Sequence, residues 1–218
     1  MAHPVPAVFL AFVSLALGAC VTKPTYTIDS GAPLRGTVSD TAIANIDKRP
    51  ANDRESSIGS LLITSDRYGI HTLGDERFVP APLVAFTQRL QRATATWPSR
   101  PQSITVTVNR FNTQNNMQVA MRHGAMNSTG LTSLGMDLGE FILGKMREQN
   151  IDMRKPFILC MIEASVDSHY PGGRSEPRKI SVIKAQNYDE TAGADPQSKI
   201  IAATVTSALD AVITALAK

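Results

Sequence analysis

Ser103 to Asn109, SITVTVN, alternates apolar and polar side chains without a break: Ile104, Val106 and Val108 on one parity, Ser103, Thr105, Thr107 and Asn109 on the other. Successive side chains of a strand point to opposite faces, so this segment reads as a strand buried on one side and wetted on the other. A chain that contains it must supply a layer to cover the apolar side. Two segments have the periodicity for that. In the first, Leu83, Phe86, Leu90, Ala93 and Trp97 recur at spacings of three and four, with Pro82 suited to the first turn and Pro98 as a stop. The second is read as starting with Asp195 as N-cap and Pro196 at the first helical position. It presents Ile201, Val205, Ala208, Leu209, Val212, Ile213 and Leu216 on a broad apolar face that must pack on something.

Further strands are expected over Val38–Ile46, Ile58–Thr64, Pro156–Val166 and Ile180–Ile183. The third is apolar on both parities, as a central strand would be. Met136–Gln149 is a candidate helix through Leu138, Ile142 and Met146, weakened by Gly139 and Gly144. Thr113–Gly135, rich in Asn, Gly, Ser and Met, gives no clear period beyond a short possible strand at Val119–Met121. The sequence His169-Tyr170-Pro171-Gly172-Gly173 is a turn signal. This order predicts an α+β domain: a mainly antiparallel sheet with two or three helices packed on one face.

Upstream of that domain, Val5 to Leu17 is almost wholly apolar, and no charged side chain precedes Lys23. As a helix the run would be ~20 Å long, short of the ~30 Å hydrocarbon layer, so a secretory signal fits better than a spanning segment. It closes on Leu17-Gly18-Ala19-Cys20, which resembles the bacterial lipobox. The resemblance implies cleavage between Ala19 and Cys20, diacylglycerol on the Cys20 thiol and acylation of the new amine. Several acyl chains hold a protein on a membrane where one is marginal. The n-region departs from the usual pattern in carrying only His3 and the α-amine, and a plain signal cleaved after Ala19 is the alternative. The expected division is 1–19 signal peptide, 20–36 lipidated cysteine and flexible tether, and 37–218 a single α+β domain. The sixteen residues 21–36 could span roughly 50 Å, unless part of the tether docks as an edge strand.

The chain has two cysteines, so lipidation of Cys20 leaves Cys160 without an intramolecular partner. Its setting, Phe157-Ile158-Leu159-Cys160-Met161-Ile162, is that of a buried structural thiol, with an intermolecular disulfide as the alternative. The net charge of +3 comes from scattered Lys and Arg, with no basic run to follow a phosphate backbone. Nucleic acid is therefore not expected as a partner.

No G-x-S-x-G elbow, H-E-x-x-H, P-loop or G-x-G-x-x-G occurs. His71, His123 and His169 are isolated and read as solvated loop residues. Met117, Met121, Met126 and His123 have ligand types suited to Cu(I), but methionine is also a filler of irregular packing. Asp47-x-Arg49-Pro50 and Asp53-Arg54-Glu55 read as a solvated loop with local ion pairs. Asp189, Glu190 and Asp195 are too sparse for calcium. The expectation is no catalytic residue, no metal and no cofactor; Cys20 is the residue with assigned chemistry.

Taken together, Leu17–Cys20, Asp47-x-Arg49-Pro50, Ile58-Gly59, the Pro82–Trp97 helix before Ile104–Val108 and the closing Lys199–Val205 helix resemble the YajG type of small Gram-negative envelope lipoproteins. The layout is also similar to the auxiliary lipoproteins of ABC-type and MCE-type transport systems, whose Tyr-Thr-(Leu or Ile) element after the cysteine is echoed by Tyr26-Thr27-Ile28. These likenesses imply a non-enzymatic lipoprotein, held to the membrane by its lipid and binding envelope proteins. The second implies that it binds lipid or a transporter component. Val21 after the cysteine, where Asp would resemble an inner-membrane retention signal, points to the outer membrane, facing the periplasm.

Overall fold

The computed structural model describes residues 24–29, 39–59, 70–115 and 136–217. In chain order its elements are β1 (Tyr26–Thr27), β2 (Ala42–Asp47), α1 (Ala51–Arg54), β3 (Ser57–Gly59), β4 (Ile70–Thr72), β5 (Phe78–Val79), α2 (Pro82–Ala95), β6 (Ser103–Asn115), α3 (Met136–Glu148), β7 (Phe157–His169), β8 (Ser175–Asn187) and α4 (Ala194–Leu216). The larger sheet has the order β3-β4-β6-β7-β8, with β2 also paired to β6. β6, β7 and β8 run antiparallel over nearly their whole length, from Ser103↔His169 to Gln114↔Leu159 and from Phe157↔Asn187 to His169↔Ser175. β2 alone in this sheet runs parallel, Ala42↔Ser103 to Asp47↔Val108, and α2 lies in the connection between the two strands. The architecture is α+β, with a mostly antiparallel sheet and helices packed on it.

The alternation of SITVTVN does place Ile104, Val106 and Val108 inward, each at most 2% exposed. α2 contributes Phe86 and Leu90 to the layer above them, and α4 contributes Val205, Leu209 and Val212. From β7, the even-numbered Ile158, Cys160, Ile162, Ala164 and Val166 join the same cluster. Fully burying each aliphatic side chain of this kind contributes ~1.5–3 kcal/mol, so this interface is the main source of stability. The third helix adds a second layer. Ile142 and Met146 of α3 are buried yet lie outside that cluster, as do Phe157, Leu159 and Met161 of the opposite parity. Gln149, just past α3, accepts from Ala185 N–H at 3.1 Å and donates to the Ile183 carbonyl at 3.1 Å, fastening the helix end to β8. This end of the sheet is apolar on both faces, which is why Phe157–Ile162 shows no alternation.

Boundaries differ from expectation in instructive ways. β2 starts at Ala42, because Ser39 and Thr41 form a hydrogen-bonded turn instead, with Thr41 Oγ1 donating to the Pro101 carbonyl at 2.8 Å. β6 continues six residues past Asn109, and β8 has thirteen residues where only Ile180–Ile183 was expected. α4 begins at Ala194, with Gly193 (φ +82°) as its cap and Asp195 within the first turn. There Asp195 still complements the helix dipole. Of the strand expected over Ile58–Thr64, Ser57–Gly59 is described. The possible strand at Val119–Met121 lies outside the described residues.

Candidate functional site

Cys20 and Ala19 lie outside the described residues, and the first described stretch after them is Pro24–Asp29. Although expected within the tether, these residues dock on the domain. β1 pairs in parallel with β5, Tyr26↔Phe78 and Thr27↔Val79, and Ile28 N–H donates to the Val79 carbonyl at 2.9 Å. Tyr26 is 6% exposed and Ile28 1%, and both belong to the main core cluster. The Tyr26 ring sits 5.6 Å from that of Phe78. Two arginines hold the ends of the segment. Arg77 Nε donates to the Pro24 carbonyl at 2.8 Å and its guanidinium lies 5.8 Å from the Tyr26 ring centre. Arg89, from α2, donates to the Asp29 carbonyl and pairs with Asp210 of α4. The outward residues Thr25, Thr27 and Asp29 line one wall of a groove of about 500 Å³, whose other wall includes Ser198, Lys199 and Ala202 of α4.

The turn that presents Arg77 also presents Asp75. Arg49 reaches Asp75 through Nη1 and Nη2, and reaches Asp47 through Nε and Nη2. Its guanidinium is also 5.9 Å from the Phe111 ring centre. The Arg49 side chain is only 1% exposed, so the expected solvated loop is corrected here: the Asp-x-Arg-Pro segment is a buried ion-pair staple. Burial alone lowers the Arg49 pKa, but its hydrogen bonds to the Asp75 and Asp47 carboxylates more than reverse that and leave it raised. The Arg49 hydrogen bond holds the Asp47 carboxyl below its ordinary value, against a smaller opposing effect of burial. Asp53 is also buried, 6% exposed, and accepts from Asn112 Nδ2 at 2.9 Å. Nearby, an added Cβ at Gly74 would stand 2.4 Å from Ser56 N, so no side chain fits where this turn crosses the end of α1.

His169 ends β7 rather than lying in the following loop, with Nε2 3.3 Å from Asp167 Oδ2. Ser175 Oγ donates to the other oxygen of the same carboxylate at 2.6 Å. In a catalytic triad the imidazole stands between hydroxyl and carboxylate. Here the carboxylate stands between the other two, so His169 has no route to take the Ser175 proton. His71 falls in β4, and His123 with Met117, Met121 and Met126 lies outside the described residues. Among the described residues no group of three metal-ligand side chains occurs. Cys160 is fully buried, as expected of a structural thiol. Desolvation raises its pKa to about 12, partly countered by the Thr113 hydroxyl, which donates to Sγ at 3.6 Å. Between sheet and helices, among Phe86, Val106, Ile162 and Leu209, the free space is about 10 Å³. That is room for roughly one water.

No family model matches the chain, and no curated protein does. Among solved structures, a minor lipoprotein from Acinetobacter baumannii aligns over 83% of this chain and 93% of its own, at 8% identity and a TM-score of 0.33. At that similarity it defines neither the fold nor the function of this chain. The YajG-type resemblance therefore rests on the residues that carry it. Docking of part of the tether as an edge strand was the open alternative, and what sequence reasoning did not identify is that Tyr26 and Ile28 are the residues that dock. Their alternation with Thr25, Thr27 and Asp29 was the available signal, but five residues among prolines and glycines are too few to separate a strand from a tether.

Proposed function

We propose that this chain is a non-enzymatic lipoprotein of the cell envelope, anchored through lipid on Cys20, whose domain acts by binding other envelope proteins. The observation that carries the reading is the Leu17-Gly18-Ala19-Cys20 motif at the end of a thirteen-residue apolar run. Val21 after the cysteine supports the outer membrane, with the domain facing the periplasm. Asp167, His169 and Ser175 are not wired as a catalytic triad, so this trio gives no reason to assign catalysis. Membrane fractionation with labelled palmitate is the test. Wild type is expected to carry label and sediment with outer membranes, while Cys20→Ser loses the label and is released. A Cys20→Ser protein that fractionates like wild type sinks the proposal.

A transport-auxiliary role is the second reading, and the docked Tyr26-Thr27-Ile28 element favours it. Among the described residues, the 10 Å³ space beside Phe86, Val106, Ile162 and Leu209 is far too small for an acyl chain; the partner on this reading is a transporter component or lipid bound elsewhere. Crosslinking of the lipidated protein in whole membranes distinguishes the two: recovery of a permease or ATPase subunit selects the second.

A further inference from the structure

Resting on the reading of Cys20 as the lipid site, we infer that Pro24–Asp29 is a clasp that moors the domain close to the bilayer. The reach of an anchored domain is set by the chain between the lipid and the first residue fixed to the fold. A stretch 20–36 acting as a free tether would leave the nineteen steps from Cys20 to Ser39, about 65 Å when extended. The clasp moves the fixed point to Pro24, whose carbonyl receives Arg77 Nε. Four steps then remain, a leash of about 14 Å whatever path residues 21–23 take.

The attachment is built to bear that role. Tyr26 and Ile28 are buried in the main core cluster, the strand pairs with β5, and Arg77 and Arg89 hold its two ends. The pole of the domain carrying Arg77 is therefore the one that faces lipid headgroups.

Insertions test this without disturbing the core. The chain beginning at Cys20 is coupled through that thiol to a maleimide lipid, the fully buried Cys160 being inaccessible to the reagent. It is placed on a supported phosphatidylcholine bilayer, and neutron reflectometry measures the gap between headgroups and protein. Twenty-four Gly/Ser residues inserted after Val21 lengthen the leash, and the mean gap is expected to rise about two- to threefold. The same insertion after Ala32 lies beyond the clasp and leaves the gap unchanged. If both insertions raise the gap alike, by about 1.5-fold, the clasp is open and the inference is wrong. No rise with the first insertion overturns it equally. Because the lipid is attached chemically, failure of palmitate labelling in cells would remove the anchor reading while leaving this result intact.

Discussion

Arg49 and Asp75 meet side on, Nη1 to Oδ1 at 2.9 Å and Nη2 to Oδ2 at 2.7 Å, although 26 positions separate them. This fork joins the end of β2 to the turn before β5, and Asp47 closes the other side of the guanidinium. Only a planar cation with divergent donors can serve two carboxylates in this way. Arg49→Ala is expected to destabilise the fold by about 2–4 kcal/mol, since it leaves two partly buried carboxylates facing each other. Arg49→Lys should recover less than half of that. Urea denaturation of the three proteins checks the order.

The same cluster sets an acid limit. Asp47 titrates below its ordinary value of 3.8, chiefly through the Arg49 hydrogen bond. A carboxylate with a depressed folded pKa stabilises the native state above its unfolded pKa and loses that contribution as pH falls through the folded one. Asp47 therefore adds stability that is full above about pH 4–5 and fades at lower pH. Urea midpoints measured from pH 7 to pH 2 should fall less steeply below pH 4 in Asp47→Asn than in wild type. Parallel curves would show that Asp47 is not the group responsible.

Cys160 should be chemically silent in the folded protein. Its thiol is fully buried and its pKa is pushed to about 12, so at pH 8 almost no thiolate exists and no reagent reaches it. Titration with a disulfide reagent is expected to leave Cys160 unmodified under native conditions and to modify it fully in denaturant. Rapid native labelling would mean that β7 opens far more readily than its packing implies.

The regular elements were legible where burial imposes a period. SITVTVN gave itself away because one face is buried, but the period breaks at the register shift between Val108 and Arg110. After that bulge the odd-numbered Phe111 and Thr113 take the inward face held by Ile104 and Val106, so a search for strict alternation stops short. β8 was underestimated for a different reason. It is an edge strand, and Ser175, Glu176, Lys179 and Lys184 carry no apolar signal although their backbones pair with β7 throughout. Arg49 was legible as an ion-pairing residue but not as a buried one, since Asp75 is distant in sequence and only the fold brings it near.

The closing helix offers the sharpest contrast between composition and context. α4 is 23 residues long and contains an 18-residue stretch with a mean hydropathy of 1.6, enough to cross a membrane by length and composition. In the structure Ala208 is 0% exposed and belongs to the core cluster, whereas Ala203 is exposed. In lipid, leucine is favourable at any outward position of a helix. Packed on a sheet, the two alanines must respond differently. Ala208→Leu forces three extra carbons into a filled interface and should cost about 1–3 kcal/mol. Ala203→Leu should change stability by less than about 0.5 kcal/mol. Denaturation of the two variants reads the difference directly, and equal values would mean that α4 does not pack on the sheet through the Ala208 face.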